Sequence, residues 1–126
     1  MSNGKVLPLN DVMRIVGASG KQYKKVMWHT SEILVRHVIS FEEYINMIHR
    51  ILNECQDEDG IASPEMMDFS IRVNVIMEYA LVQLPNDMDQ LYYVVYSSDL
   101  YDTICSVVSE GQLKEIRETV DTYMKG

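Results

Sequence analysis

From Ser40 onward the apolar positions fall at helical spacing. Phe41, Tyr44, Ile45, Ile48, Ile51, Leu52 and Cys55 follow an i, i+3, i+4, i+7 pattern, which predicts a helix over 41–55 that buries that face. Ser40-Phe41-Glu42-Glu43 marks its start as a capping box: the Ser40 hydroxyl can accept from the Glu43 amide while the Glu43 carboxylate reaches back to the Ser40 amide. Ile39 and Tyr44 are placed for a hydrophobic staple across it. A second helix opens at Ser63-Pro64-Glu65, where serine caps, proline fits the first turn and glutamate favours the positive end of the dipole. Residues 66–84 are apolar almost all round, the mark of a central helix, and Pro85 is expected to end it. Asn86-Asp87 caps a third helix over 87–97, carrying Met88, Leu91, Tyr92, Val94, Val95 and Tyr96. A short fourth starts at Ser98 or Asp99 and carries Leu100, Tyr101, Ile104, Cys105, Val107 and Val108. Ser109-Glu110-Gly111-Gln112 reads as a second capping box. It opens a last helix over 110–124, with Leu113, Ile116, Val120, Tyr123 and Met124 on one face and charged residues on the other.

The pattern before Ser40 is different. Tyr23–Trp28 and residues 32–39 flank a His29-Thr30-Ser31 turn, and Val26, Trp28, Ile33, Val35, Val38 and Ile39 suit a sheet. A hairpin over 23–39 is favoured, although Tyr23, Val26, Met27, Ile33 and Leu34 also fit helical spacing and the turn lacks the usual Gly or Asn. Residues 1–22 form an N-terminal arm. Val6-Leu7-Pro8-Leu9 reads as extended, and Asn10 or Asp11 caps one or two turns through Val12, Met13, Ile15 and Val16. Gly17-Ala18-Ser19-Gly20 stops them. The expected fold is mainly α: a compact bundle of about four to five helices over 23–126 with a small N-terminal β-hairpin.

At 126 residues the chain has the length of one domain and can bury a core without disulfides or metal. Two cysteines, Cys55 and Cys105, lie far apart with no CxxC and read as small core residues. No run of 18 apolar residues predicts a membrane span, and no signal-peptide core follows Met1, so the chain is expected in the cytosol. The net charge of −8 is uneven: residues 1–30 sum to +4 and the remainder to −12. An acidic body argues against phosphate or nucleic-acid binding, and the basic segment is too short and too poor in arginine to reverse that.

Candidate chemistry fails on spacing. Gly17-Ala18-Ser19-Gly20-Lys21 suggests a phosphate loop, but Ile15 stands where the first glycine belongs and Gln22 where Ser or Thr belongs. Asp57-Glu58-Asp59-Gly60 suggests part of a calcium loop, but Cys55 and Met66 would fall at the first and last ligands, with Pro64 inside. His29, His37 and His49 form no metal-ligand spacing and read as surface residues, and no GxSxG nucleophile elbow occurs. The expectation is therefore no enzyme, with no catalytic, metal-binding or cofactor-binding residue. Nine methionines and eight tyrosines remain, more than a tight core needs. Met suits adaptable apolar grooves, and Tyr pairs an apolar ring with a polar tip. Tyr92, Tyr93, Tyr96 and Tyr101 cluster within ten residues; Tyr92 and Tyr96 share a helical face, and Tyr93 points about 100° away. Met66, Met88, Tyr92, Tyr93, Tyr96 and Tyr101 are the candidate partner-binding residues.

The order Lys25-Val26-Met27-Trp28, Glu32-Ile33-Leu34-Val35, Ile39-Ser40-Phe41-Glu42-Glu43 resembles small virion-assembly proteins of phages that infect Gram-positive bacteria. Asp68-Phe69-Ser70-Ile71-Arg72, Leu84-Pro85, Tyr96-Ser97-Ser98-Asp99 and Gln112-Leu113 continue the likeness, which spans about residues 23–124. Many such proteins resemble tail assembly chaperones. The resemblance implies a cofactor-free helper, in the host cytoplasm, that covers apolar helical segments of the tape-measure protein until the tail tube forms. Its homo-oligomeric state is left open. Two other readings stay open: a structural virion component of the neck or head–tail connector, and an acidic host-directed inhibitor. The inhibitor would need Glu42, Glu43, Asp57, Glu58, Asp59, Asp87, Asp89, Asp99 and Asp102 on one face.

Overall fold

The computed structural model describes residues 6–16 and 22–125. The expected stop at Gly17-Ala18-Ser19-Gly20 lies outside those residues. Ser40 has extended backbone, its hydroxyl accepts from the Glu43 amide at 3.2 Å, and the Glu43 carboxylate accepts from the Ser40 amide at 3.1 Å. The capping box is thus complete, and helix α2 runs Phe41–Glu54 from it. Its buried side is centred on Met47, Ile48 and Ile51. Phe41, expected in the stripe, is 79% exposed, because it lies at the margin of that arc in the first turn.

Helix α3, Pro64–Tyr79, starts where the sequence places it: Ser63 Oγ accepts from the Met66 amide at 3.1 Å. Ser63→Ala should cost about 1 kcal/mol, read as a lower urea midpoint at unchanged m-value. The helix is central, packing against α2 and against the two later helices given below. Its end departs from expectation. Proline at 85 does not set it; the helix stops at Tyr79 and Ala80 turns extended, pairing with Val35, while the Leu81 amide donates to Leu34 O at 3.0 Å. An open sheet edge presents unpaired backbone groups, and capturing Ala80 and Leu81 satisfies some of them.

That edge belongs to a hairpin. Strands β1, Tyr23–Trp28, and β2, Ser31–Arg36, pair antiparallel, with Trp28 opposite Ser31 and Tyr23 opposite Arg36. The second strand is shorter than the sequence suggests: residues 37–39 lead into α2 instead. The loop is His29-Thr30, and His29 takes the left-handed conformation (φ 57°) usually given to Gly or Asn. Its ring lies edge-on to Trp28 at 5.2 Å, and the Trp28 indole donates to Asp99 at 2.6 Å, which ties the loop to the helical body.

The expected helix over 87–97 is two pieces. Asp87 caps α4, Met88–Tyr92, by accepting from the Gln90 amide, and the chain then widens into a π-helical turn over Tyr93–Ser97. Helix α5, Leu100–Cys105, buries Leu100, Tyr101 and Ile104. Helix α6, Glu110–Lys125, buries Ile116 and Val120. Its predicted capping box is only half made. Ser109 Oγ accepts from the Gln112 amide at 3.3 Å, but the Gln112 side chain goes elsewhere. It accepts from the Ile39 amide and from the Tyr79 hydroxyl, and it donates to Ile39 O. The Ser109 amide donates instead to His37 O at 2.7 Å. Near the N-terminus, α1 covers Leu9–Val16; Pro8 O accepts from the Asp11 and Val12 amides, so the helix starts ahead of the expected Asn10 or Asp11 cap.

The described residues therefore form six α-helices and one two-stranded antiparallel hairpin, the fold class the sequence predicts. The core runs from Ile33 on β2 to Val120 on α6. Arg36, Ser70 and Asn74 are polar residues buried with it; Asn74, 1% exposed on α3, donates to Glu54 and Ser70 and accepts from Arg50 Nε at 3.1 Å.

Candidate partner-binding groove

The first turns of α3, together with α4 and the π-helical turn, enclose a groove of about 660 Å³. Met66, Phe69, Met88, Tyr92 and Tyr96 supply its apolar walls, and Glu65, Asp68 and Asp89 its polar positions. Four predicted residues thus meet in one place: Met66, Met88, Tyr92 and Tyr96. All four are exposed, Met88 the most at 60%. The Tyr92 and Tyr96 rings lie 5.2 Å apart, as their shared face predicts. Tyr93 is exposed but is not part of the lining; its ring meets the edge of Tyr92 from outside. Tyr101 is a correction. It is 8% exposed, because α5 packs on α3 and turns it inward beside Leu100 and Ile104.

The groove floor is fixed by a charged network. Asp68 accepts from the Tyr96 hydroxyl at 2.6 Å, from Arg72 Nε at 2.8 Å and from Arg117 Nη1 at 3.0 Å. Burial pushes the Asp68 carboxyl up, and these three donors outweigh it, so the group sits below its ordinary value. Burial and donation to Asp68 push the Tyr96 phenol up to about 12. At neutral pH the pair is a phenol donating to a carboxylate, which holds the ring in place. The Arg72 guanidinium lies 5.0 Å from the Tyr96 ring centre and 4.6 Å from that of Tyr101, and Phe69 stacks on Tyr96 at 6.1 Å. The groove therefore has a rigid aromatic base and a rim of longer, adaptable methionines.

Phe69, Asp68 and Arg117 are the site residues that the sequence pattern missed. Asp68 and Arg72 are an i, i+4 pair visible in the sequence; Arg117, on α6, carries no local signal. Among the described residues no cluster of His, Cys, Asp or Glu could hold a metal ion, and no helix is long and apolar enough to cross a membrane. His49 is exposed, His29 lies beside Asp99, and His37 Nδ1 donates to Val107 O at 2.7 Å. Several residues of the acidic face imagined for an inhibitor are engaged at separate places. Glu43 and Asp87 cap α2 and α4, Asp57 accepts two amides of its own loop, and Asp99 holds Trp28. No protein-family model matches the chain, and neither a curated protein nor a solved structure matches it.

Proposed function

We propose that this chain covers apolar helical surface on a partner protein, in the manner of a phage tail assembly chaperone acting on the tape-measure protein. One observation carries the reading: Met66, Met88, Tyr92 and Tyr96 stand open to solvent around a single groove whose base is locked by Asp68 and Arg72. An amphipathic helix binds such a groove by laying apolar residues at i, i+3, i+4 and i+7 into it. Methionine rims adapt to different sequences, which suits a partner presenting many similar helical segments. The −8 charge would keep the covered complex from self-associating. No bond is made or broken in this mechanism; the tube subunit displaces the chain by competing for the same apolar stripes.

Co-expression with the tape-measure protein of the same genome tests it. The expected result is co-purification, with the chain absent from purified virions. A chain that ignores the tape-measure protein overturns the reading. Its presence in mature virions replaces the chaperone with the structural neck or connector component.

A further inference from the structure

The π-helical turn over Tyr93–Ser97 holds one residue more than an α-helical path of the same span. Each amide in such a turn reaches a carbonyl five residues back instead of four, a rare arrangement found mostly as single turns within α-helices. This turn is held from its C-terminal side. Val95 is 1% exposed, Leu100 is buried just beyond, and the Tyr96 hydroxyl donates to Asp68 at 2.6 Å. Ser98, whose amide would serve the Val94 carbonyl in an α-helix, donates its hydroxyl to that carbonyl at 2.5 Å. The N-terminal side is held weakly. Helix α4 buries none of its five residues, its main contacts are with the turn itself, and residues 86–90 are all exposed. Only Leu91 packs against the core from α4, and it is half-buried.

The chain here tolerates a slip of one place. Leu91-Tyr92-Tyr93-Val94-Val95 is apolar without a break, and its tyrosines and valines come in pairs. If the turn closes to α-helix, everything before it rotates by about 100° and moves about 1.5 Å along the axis. The irregular link over residues 85–87 can absorb that movement. Tyr93 then takes the place of Tyr92, and Tyr92 that of Leu91, so the groove wall keeps its aromatic ring and the core contact stays apolar. The cap travels with the helix, because Asp87 accepts from Gln90 within the same segment. One position changes character: Asp89 takes the place of Met88.

We infer that α4 has two registers, the π-helical one described above and a second in which residues 88–97 are α-helical, and that their exchange switches one groove wall from a thioether to a carboxylate. In the first, Met88 and Tyr92 line the groove. In the second, Asp89 and Tyr93 stand in their places. The exchange is a helix register shift, which belongs to the microsecond-to-millisecond range. Anything that needs the apolar wall draws the chain into the first register. The switch concerns the groove itself and not its occupant, so it stands or falls without a partner.

Fluorine NMR on the full chain labelled with 3-fluorotyrosine tests the inference, with Tyr92→Phe and Tyr93→Phe assigning the two signals. Relaxation dispersion is expected at Tyr92 and Tyr93 and not at Tyr123, which lies exposed on α6. Removing Val94 takes out the extra residue, so an α-helical turn then holds Tyr92 in its present place. The dispersion should vanish while the circular dichroism melt shows a folded chain. Ser98→Ala removes a hydroxyl that the π-helical register needs and the α-helical one does not. It should raise the ratio of second to first register about 5-fold. Should the shortened chain fail to fold, this variant decides alone. No dispersion at either tyrosine overturns the inference. Dispersion that survives removal of Val94 also overturns it, as does a register ratio that Ser98→Ala leaves unchanged. Capture of a tape-measure fragment, or its failure, bears on the proposed function alone.

Discussion

Met88→Asp combined with Tyr92→Asp should release a captured tape-measure helix while leaving the fold intact. Both side chains are exposed, and neither supports the core, so the cost to the free protein stays within about 0.5 kcal/mol. Met88 opens α4, where a carboxylate suits the helix dipole. The effect on binding is far larger. Interface anchors of this kind contribute about 1–2 kcal/mol or more each, and charged replacements would also have to be desolvated. Two together should weaken capture by about 100-fold or more, measured as the dissociation constant for a tape-measure fragment. Tyr93→Asp is the matched control: an equally exposed tyrosine, one residue away, outside the groove lining. It should leave capture unchanged. If Tyr93→Asp weakens capture as much as the double variant, the groove is not the binding surface.

What the sequence made legible is what it encodes locally. The caps at Ser40, Ser63 and Asp87 each join a side chain to an amide three residues on, and each forms as predicted. Several departures come from distant partners. Helix α3 stops at Tyr79, not at the proline, because β2 captures Ala80. Gln112 leaves its capping box because Ile39 and Tyr79, 73 and 33 residues away, offer it three hydrogen bonds. Apolar spacing placed Phe41 in the core, but the buried arc of α2 follows its neighbours and is centred elsewhere. His29 takes a glycine-like conformation because Trp28 and Asp99 hold the loop from outside it.

The groove divides the same way. Tyr92 and Tyr96 share a face through one helical turn, a relation written in their spacing. Tyr101 lies only five residues on, yet the helix break at Ser98 and the packing of α5 turn it inward. Composition could show a surplus of methionine and tyrosine but not where the surplus gathers. Met66 and Met88 meet only because α3 and α4 fold together. The groove bears on the covering of a helix. The tape-measure protein as partner rests on sequence resemblance, which is why the co-purification test carries the phage assignment.

Arg36→Met should destabilise the protein by about 2–3 kcal/mol. Arg36, the last residue of β2, is buried where β2, α2 and α3 meet. It donates to Glu43 through both terminal nitrogens, at 3.2 and 2.7 Å, and to Glu78 O at 3.1 Å. Glu43 in turn caps α2, and Glu78 O is one of the last carbonyls of α3, where a cation is favourable. Breaking a buried pair costs about 3–5 kcal/mol; Glu43 retains some contact with water, which places this pair at or below the lower end. Against a typical total of about 5–15 kcal/mol, the loss is large. The pH dependence supplies an independent check. The hydrogen bonds from Arg36, opposed by burial and assisted by Ser40, hold the Glu43 carboxyl at about 2 against an ordinary 4.5. A depressed carboxyl contributes its full stability above pH 4.5 and loses it as pH falls toward 2. Wild type should therefore weaken across that window in urea titrations, and Arg36→Met should flatten the slope while Ser40 preserves a remnant. A double-mutant cycle with Glu43→Gln isolates the pair, and its coupling should exceed about 1 kcal/mol, above the range of exposed pairs. Coupling near zero, with the acid slope unchanged in Arg36→Met, would show that Glu43 is held by its cap alone.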